Sequence, residues 1–370
     1  MTATLHVVLD QIVAPTDADL ATASRELARE LVRTAPQGCE VAAVVPAGAD
    51  AAATLEREVP GLADITRLAL PRRELAAAWQ LGVASGAPRG MIHAPTSLAP
   101  LVRHDRVHDH EQTVVTLWDL AAWEHPDEMS KMTAAWHRGM LKRAVKHADA
   151  VVVPTHALAD RLGEIAPLGD RIRVIPGAAP GGFAVPTDEV GRRRALEVPD
   201  GCLLVSGGAA PSARLDAAFA AIAQAGSDLP VVVLDAPDSE AAAVADLAAA
   251  AGLQPGRVSI RGSLDSADRA AVLAGAVLLV TPRADTAYPW RVIDALTLGV
   301  PIVAVDSAVH REVVVDGGRL AEPGELSVAL GDALGSTDAV ERLAVLSGDR
   351  GRAFSWTGAA ERVWQLHADL

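Results

Sequence analysis

The segment "TPRADTAYPWRVIDALTLGVPIVAVD" (Thr281–Asp306) brings two cations, Arg283 and Arg291, and two acids, Asp285 and Asp294, into one loop and the helix after it. It reads as a strand end, a loop, a helix and a second strand. Pro289 suits the first helical turn, where its missing N–H forfeits no bond. Val292, Ile293, Leu296 and Leu298 give the helix a buried side, Gly299 stops it and Pro301 restarts the chain as strand. Open α/β sheets hold ligands in loops at the carboxyl ends of their strands. Which ligand this loop would hold is a question for the whole chain. Other chemistries lack their residues. The 11 histidines show neither triad nor metal-ligand spacing, and no two carboxylates are spaced for a metal. Cys39 and Cys202 fall in different halves with no zinc spacing, which points to a reducing compartment.

The elements that must position this loop alternate strand and helix along all 370 residues, a length that favours two domains. Strands are expected at His6–Leu9, Val41–Val45, Met91–His93, Val114–Leu117, Ala150–Pro154 and within Arg171–Ala178. A second set is expected at Cys202–Ser206, Val231–Leu234, Val258–Arg261, Val277–Thr281 and Pro301–Val305. Several are continuous apolar runs, as parallel strands covered on both faces require. Thr16 can cap a helix lined by Leu20, Leu27 and Leu31, and further helices fit Ser130–His147, Leu215–Gln224, Ala241–Ala251 and Trp356–Leu370. The Gly- and Pro-rich "PGAAPGGFAVPTD" (Pro176–Asp188) is the best boundary between domains. The formal charge of −14 repels nucleic acid and anionic lipid unless a local basic patch overrides it. The N-terminal "MTATLHVVLDQIVAP" lacks a basic stretch before its short apolar run, so it reads as a first strand rather than a signal peptide. No apolar run reaches the roughly 18 residues that span a bilayer, and a cytoplasmic protein is expected.

Three stretches of the first half are diagnostic together: "VVTLWDLAAWEHPD" (Val114–Asp127), "LKRAVKHADAVVVPTHALADRL" (Leu141–Leu162) and "DRIRVIPGA" (Asp170–Ala178). In the second half "RVSIRGSLDSADRAAVLAGAVLLVTPRAD" (Arg257–Asp285) and "RVIDALTLGVPIVAVDSAVHREVVVDGG" (Arg291–Gly318) follow at matching positions. In content and order these resemble glycosyltransferase family 4, retaining enzymes of GT-B architecture. The resemblance implies an α/β protein with two Rossmann-like, doubly wound parallel-sheet domains facing across a cleft. An acceptor-side domain would span 1–180 and a donor-nucleotide domain 181–350, with a C-terminal helix (351–370) able to pack back on the first. It further implies a metal-independent hexosyl transfer, with no tightly bound cofactor and a nucleotide diphosphate sugar (GDP or UDP favoured) as substrate. The partner would be a hydroxyl acceptor in cell-envelope glycan or glycolipid synthesis, with weak contact to a membrane surface left open.

By the same resemblance, Trp118, Asp119 and Asp294 occupy catalytic positions. The donor would lie against Gly207, Gly208 and Arg214 after one strand and against Arg261 and Gly262 after another. Arg283, Asp285, Thr286, Tyr288, Arg291 and Asp294 would complete the site. Several of these depart from the family pattern. Its two nucleotide-binding glutamates fall on Thr286 and Asp294, and its phosphate-loop glycines on Ala287 and Pro289, which has no N–H to donate. Its diphosphate-gripping Arg and Lys fall on Gly208 and Ala213, with Arg214 next door. Losing two charge-assisted contacts costs about 3–6 kcal/mol. The family's His–Asp turn here reads Trp118–Asp119, and Trp can stack on a sugar but cannot exchange a proton. The first loop, "VAPTDADLA" (Val13–Ala21), has Asp17 and Asp19 in place of a glycine pair. These departures keep a second hypothesis in play, a non-catalytic GT-B module that binds a partner transferase or a glycan. Packing roles for Trp118 and Trp290, surface roles for Arg283 and Arg291, and solvated helix faces for the basic runs Trp136–His147 and Arg67–Trp79 are the plain alternatives.

Overall fold

The computed structural model describes residues 2–48, 50–83 and 85–370, and Met1, Ala49 and Ala84 lie outside them. Two compact units divide the chain, one of residues 1–178 with 355–370, the other of 179–354.

The first unit is built on β1 (Ala3–Val8), β2 (Cys39–Val45), β3 (Asp64–Arg67), β4 (Met91–Ala94), β5 (Gln112–Thr116), β6 (Ala150–Val153) and β7 (Ile172–Val174). Among the described residues these form one seven-stranded parallel sheet in the order β3-β2-β1-β4-β5-β6-β7. The order reverses between β1 and β4, so the chain leaves those two strands in opposite directions and opens a crevice at their carboxyl ends. β5 and β6 are buried at every residue, and β6 accordingly reads as an unbroken apolar run.

Edge strand β3 escaped the sequence because its Asp64 and Arg67 stay exposed, so it carries no apolar signature. Thr16 does not cap the helix Ala18–Arg33. Asp17 does, its carboxylate accepting from Leu20 N at 2.9 Å. Thr16 instead directs its backbone N–H and hydroxyl to Gln11 Oε1.

The helix Trp356–Asp369 completes this unit. Trp364 Nε1 donates to Leu31 O at 3.2 Å and Thr357 Oγ1 to Glu30 Oε2 at 2.7 Å. Its buried His367 meets Gln112 Oε1 at 3.0 Å, and its ring stands edge-on to that of His93 at 5.6 Å.

The second unit holds β8 (Cys202–Ser206), β9 (Val231–Leu234), β10 (Val258–Ile260), β11 (Ala276–Thr281), β12 (Ile302–Val305) and β13 (Arg319–Ala321). All pair in parallel in the order β10-β9-β8-β11-β12-β13, with the reversal between β8 and β11. Leu203, Val205, Val231, Val233, Leu278 and Val280 pack beneath Phe219, Ile222, Val244 and Leu330 in its core. β13 was not legible either. It is a short edge strand that opens on exposed Arg319. Gly299 ends the helix Trp290–Leu298 at φ 69°, the left-handed conformation that a glycine reaches without strain. Pro289 lies one residue earlier than a first-turn position, at the N-cap.

The two buried, edge-on histidines give the first unit a pH limit. Burial holds His93 well below its ordinary pKa, with His367 adding repulsion, and burial holds His367 at about 4. The unfolded chain therefore takes up protons below about pH 6.5 that the folded unit refuses, and stability falls from there toward pH 4. Thermal melts from pH 7.5 to 5 should show a falling midpoint, less steep for His93→Leu.

Candidate functional site

At the carboxyl edge of the first unit, β1 runs into Asp10 and Gln11, β4 into Thr96, and β5 into Trp118 and Asp119. With the helices Arg72–Leu81 and Lys131–His147 they enclose a cavity of about 520 Å³. Gln11, Thr96 and Trp118 contribute to its lining near the strand ends, and Arg72, Arg73, Trp136 and His137 line it from the helices.

Asp10 is fully buried, and its Oδ2 accepts from Arg72 Nε at 2.7 Å and Gln11 Nε2 at 2.9 Å. Burial pushes its carboxyl upward against the pull of Arg72. His137 is held below its ordinary pKa by burial, opposed by Asp119 and reinforced by Arg72. Asp10 was not singled out from sequence, whereas Arg72, Trp136 and His137 fall in the two basic runs, Arg67–Trp79 and Trp136–His147, that could dock an anionic acceptor. The one available signal was an acid placed directly after an apolar strand, as in "HVVLD".

Trp118 lines this cavity and also packs. Its Nε1 donates to Pro95 O at 2.8 Å, and a Cβ on Gly177 would come within 3.1 Å of its ring and 3.0 Å of Trp356. Gly177 is thus fixed by close approach of two indoles. Asp119 is exposed, and its Oδ1 accepts from Ala121 N at 2.9 Å, which shapes the turn into the short helix Ala121–Glu124.

In the second unit the loops after β8 and β11 flank the reversal. Here a chain of polar groups runs from strand end to helix. Ser206 Oγ donates to Asp235 Oδ2 at 2.6 Å, and Arg291 Nε donates to the same oxygen at 2.8 Å. Arg291 Nη1 reaches Asp294 Oδ2 at 2.5 Å, and Arg269 Nε lies 2.8 Å from that oxygen, though off the hydrogen-bonding direction. Phe183 lies under the Arg269 guanidinium at 5.5 Å.

Two carboxylates and two guanidiniums, all largely buried, balance one another. Asp235 holds its place at φ 62°, a conformation that strains a non-glycine residue. Of this network, the sequence pointed to Arg291 and Asp294. Asp235 and Arg269 were missed because they come from other elements.

The glycine turn after β8 is already occupied by an acid. Gly207 has φ 133°, Ala209 N donates to Glu240 Oε2 at 2.7 Å, and a Cβ on Gly208 would collide with that same oxygen. Gly262 faces a second acid, since a Cβ there would meet Asp238 Oδ1 at 3.2 Å. Arg214 caps the helix Leu215–Gln224 at φ 55°, with an exposed side chain 3.6 Å from Asp216. Arg283 pairs with Asp285 at 2.8 Å, and Tyr288 stands edge-on to Trp290 at 4.6 Å in the same loop as Thr286.

Arg261 is tied to the fold by backbone carbonyls. Its guanidinium donates to the carbonyls of Leu196, Ile260 and Glu197. Among the described residues no three His, Cys, Asp or Glu side chains converge as a metal site, and no helix is long and apolar enough to cross a membrane.

The two units match two family models in turn, Glycosyltransferase Family 4 over residues 20–179 and Glycosyl transferases group 1 over residues 209–344. The chain belongs to the group 1 glycosyltransferases, with a family 4 first domain. Its fold is GT-B. Sucrose-phosphate synthase from Thermosynechococcus elongatus superposes at TM-score 0.71 and 17% identity, covering 99% of this chain and 98% of that one. Anabaena HepE in complex with UDP-glucose superposes at 0.72 and 15%, covering 99% and 100%. A glycosyltransferase from Rickettsia africae superposes at 0.64 and 12%, covering 100% and 98%. No curated protein sequence matches the chain.

The buried network makes Asp294 structural as well as a site candidate. Removing one member of a buried ion cluster leaves charge without a partner, at a cost of about 3–5 kcal/mol. Asp294→Ala should lower the denaturant midpoint of the second unit accordingly, and Asp285→Ala, on the exposed loop, should leave it within about 0.5 kcal/mol.

Proposed function

We propose that this glycosyltransferase moves a hexose from a nucleotide diphosphate sugar to a hydroxyl acceptor with retention, in the cytoplasm, during synthesis of a cell-envelope glycan or glycolipid. The observation that carries the proposal is the position of the Gly207–Gly208 turn and the Arg283–Tyr288 loop. They leave β8 and β11, the two strands on either side of the reversal, at their carboxyl ends. The donor diphosphate would lie across these loops, with Arg214 and Arg283 as cations and the N-terminus of the helix Trp290–Leu298 behind it. UDP is the favoured base, because the similar Anabaena HepE binds UDP and UDP-glucose.

The acceptor would enter the first unit's cavity, where Trp118 offers an apolar face to a sugar ring and Asp119 an acceptor for its hydroxyls. In a retaining transfer of this kind the acceptor oxygen attacks the anomeric carbon on the side the diphosphate leaves. The C–O bond to the diphosphate breaks, and the acceptor proton passes to the departing phosphate oxygen. Such a step asks little of side chains beyond position and charge, so loss of the family's histidine at Trp118 is compatible with it.

One feature favours the second reading, a non-catalytic GT-B module that binds a partner transferase or a glycan. Glu240 already holds the Ala209 amide, and an incoming diphosphate must displace a like charge. Calorimetry with UDP, GDP, ADP and their hexose conjugates separates the two. The transferase reading expects UDP to bind in the micromolar range. Arg283→Ala should weaken that binding about tenfold, the scale of one charge-assisted bond, and Glu240→Ala should strengthen it. If no nucleotide binds at millimolar concentration, with or without Glu240, the donor site is empty and the binding-module reading stands.

A further inference from the structure

The opposite edge of the first sheet carries a second concavity, of about 510 Å³, at the amino ends of β6 and β7 and beyond the end of the helix Lys131–His147. Five Arg and Lys side chains line it against the side-chain carboxylates of Asp149 and Asp170, with Leu370 also in its wall, in a chain whose formal charge is −14. One carboxylate is internally compensated. Asp149 Oδ2 meets His104 Nε2 at 2.7 Å and accepts from Thr113 N at 2.8 Å, and this pairing raises the His104 pKa.

The helix end that points into the concavity would normally repel an anion through its unsatisfied carbonyls. Here Arg171 donates to both Val145 O and Ala148 O at 2.9 Å and cancels that end. What remains at the rim are four exposed cationic side chains, Arg103, Arg106, Lys146 and Arg173. Of these four, Lys146 also acts on His147, whose pKa is lowered first by burial and then by Arg143, Lys146 and His104. Cations gathered in one concavity repel one another unless an anion joins them.

We propose that this concavity binds a small multivalent oxyanion of the phosphate class, held by Arg103, Arg106, Lys146 and Arg173. Guanidiniums supply forked donors to phosphate oxygens, and the lysine supplies a point charge. The cavity has room for a di- or triphosphate. It lies at the amino ends of the strands, away from the carboxyl edge where the proposed transfer occurs, so it is a site separate from donor and acceptor. The anion can arrive free in solution or as the head group of an acidic lipid.

The test is calorimetry of the intact chain with sodium tripolyphosphate at low and high salt, followed by co-sedimentation with phosphatidylcholine vesicles with and without phosphatidic acid. One tripolyphosphate should bind with sub-millimolar affinity that weakens with salt. The Lys146→Glu/Arg173→Glu pair and, separately, the Arg103→Glu/Arg106→Glu pair should each weaken it at least tenfold with unchanged melting. Co-sedimentation that requires phosphatidic acid and is lost in the same variants would assign the anion to a lipid head group. Tripolyphosphate binding without co-sedimentation would assign it to solution. The proposal is overturned if tripolyphosphate does not bind at about 1 mM, if both charge-reversed pairs bind it like the parent, or if Arg214→Ala/Arg283→Ala abolishes the binding instead.

Discussion

Parallel strands covered on both faces leave polar groups open to a ligand at their ends. β5, β6, β9 and β12 are buried at every residue, so the chemistry of both units is displaced to the loops beyond their carboxyl ends. Everything else in the two candidate sites follows from that displacement. Each sheet reverses its strand order once, and the reversal leaves a crevice that no crossing helix can fill. In the first unit Gln11, Thr96 and Trp118 line it, and in the second Ser206, Asp235 and the Arg283–Tyr288 loop follow the strand ends. The same constraint leaves the amino ends of β6 and β7 free to carry the cationic concavity, since nothing there competes with the transfer site.

Charge in the second unit is arranged unlike an open phosphate cradle. Asp235, Arg291, Asp294 and Arg269 form a balanced buried chain, and Glu240 satisfies a backbone amide of the glycine turn. An internal carboxylate in that place lets the turn fold without a ligand and supplies the competitor that a ligand must displace. A cationic side chain at position 208 would have to share the space that Glu240 Oε2 now fills.

The sequence made most of the fold legible because buried parallel strands are apolar runs of limited length. Helix limits marked by Ser130, Gly299 and Trp356 were equally readable, since caps and stops act locally. The two strands that were missed, β3 and β13, lie at sheet edges and carry exposed charged residues. The site was legible where one segment holds its parts, as with Arg291 and Asp294 on successive helical turns. It was hidden where the partners come from distant elements. Glu240 reaches Ala209, Asp235 reaches Arg291, and Arg72 reaches Asp10 only through the tertiary fold. Arg261, expected at the site from its position, has its guanidinium bonded to three backbone carbonyls, partners that only the tertiary fold supplies.

The central claim is that the reversal between β8 and β11 holds a nucleoside diphosphate. Amide hydrogen exchange with and without saturating UDP tests it most directly. The account predicts slowed exchange confined in the second unit to residues 207–214 and 282–291. Unchanged exchange in both segments, or protection elsewhere in that unit with neither segment affected, would contradict it.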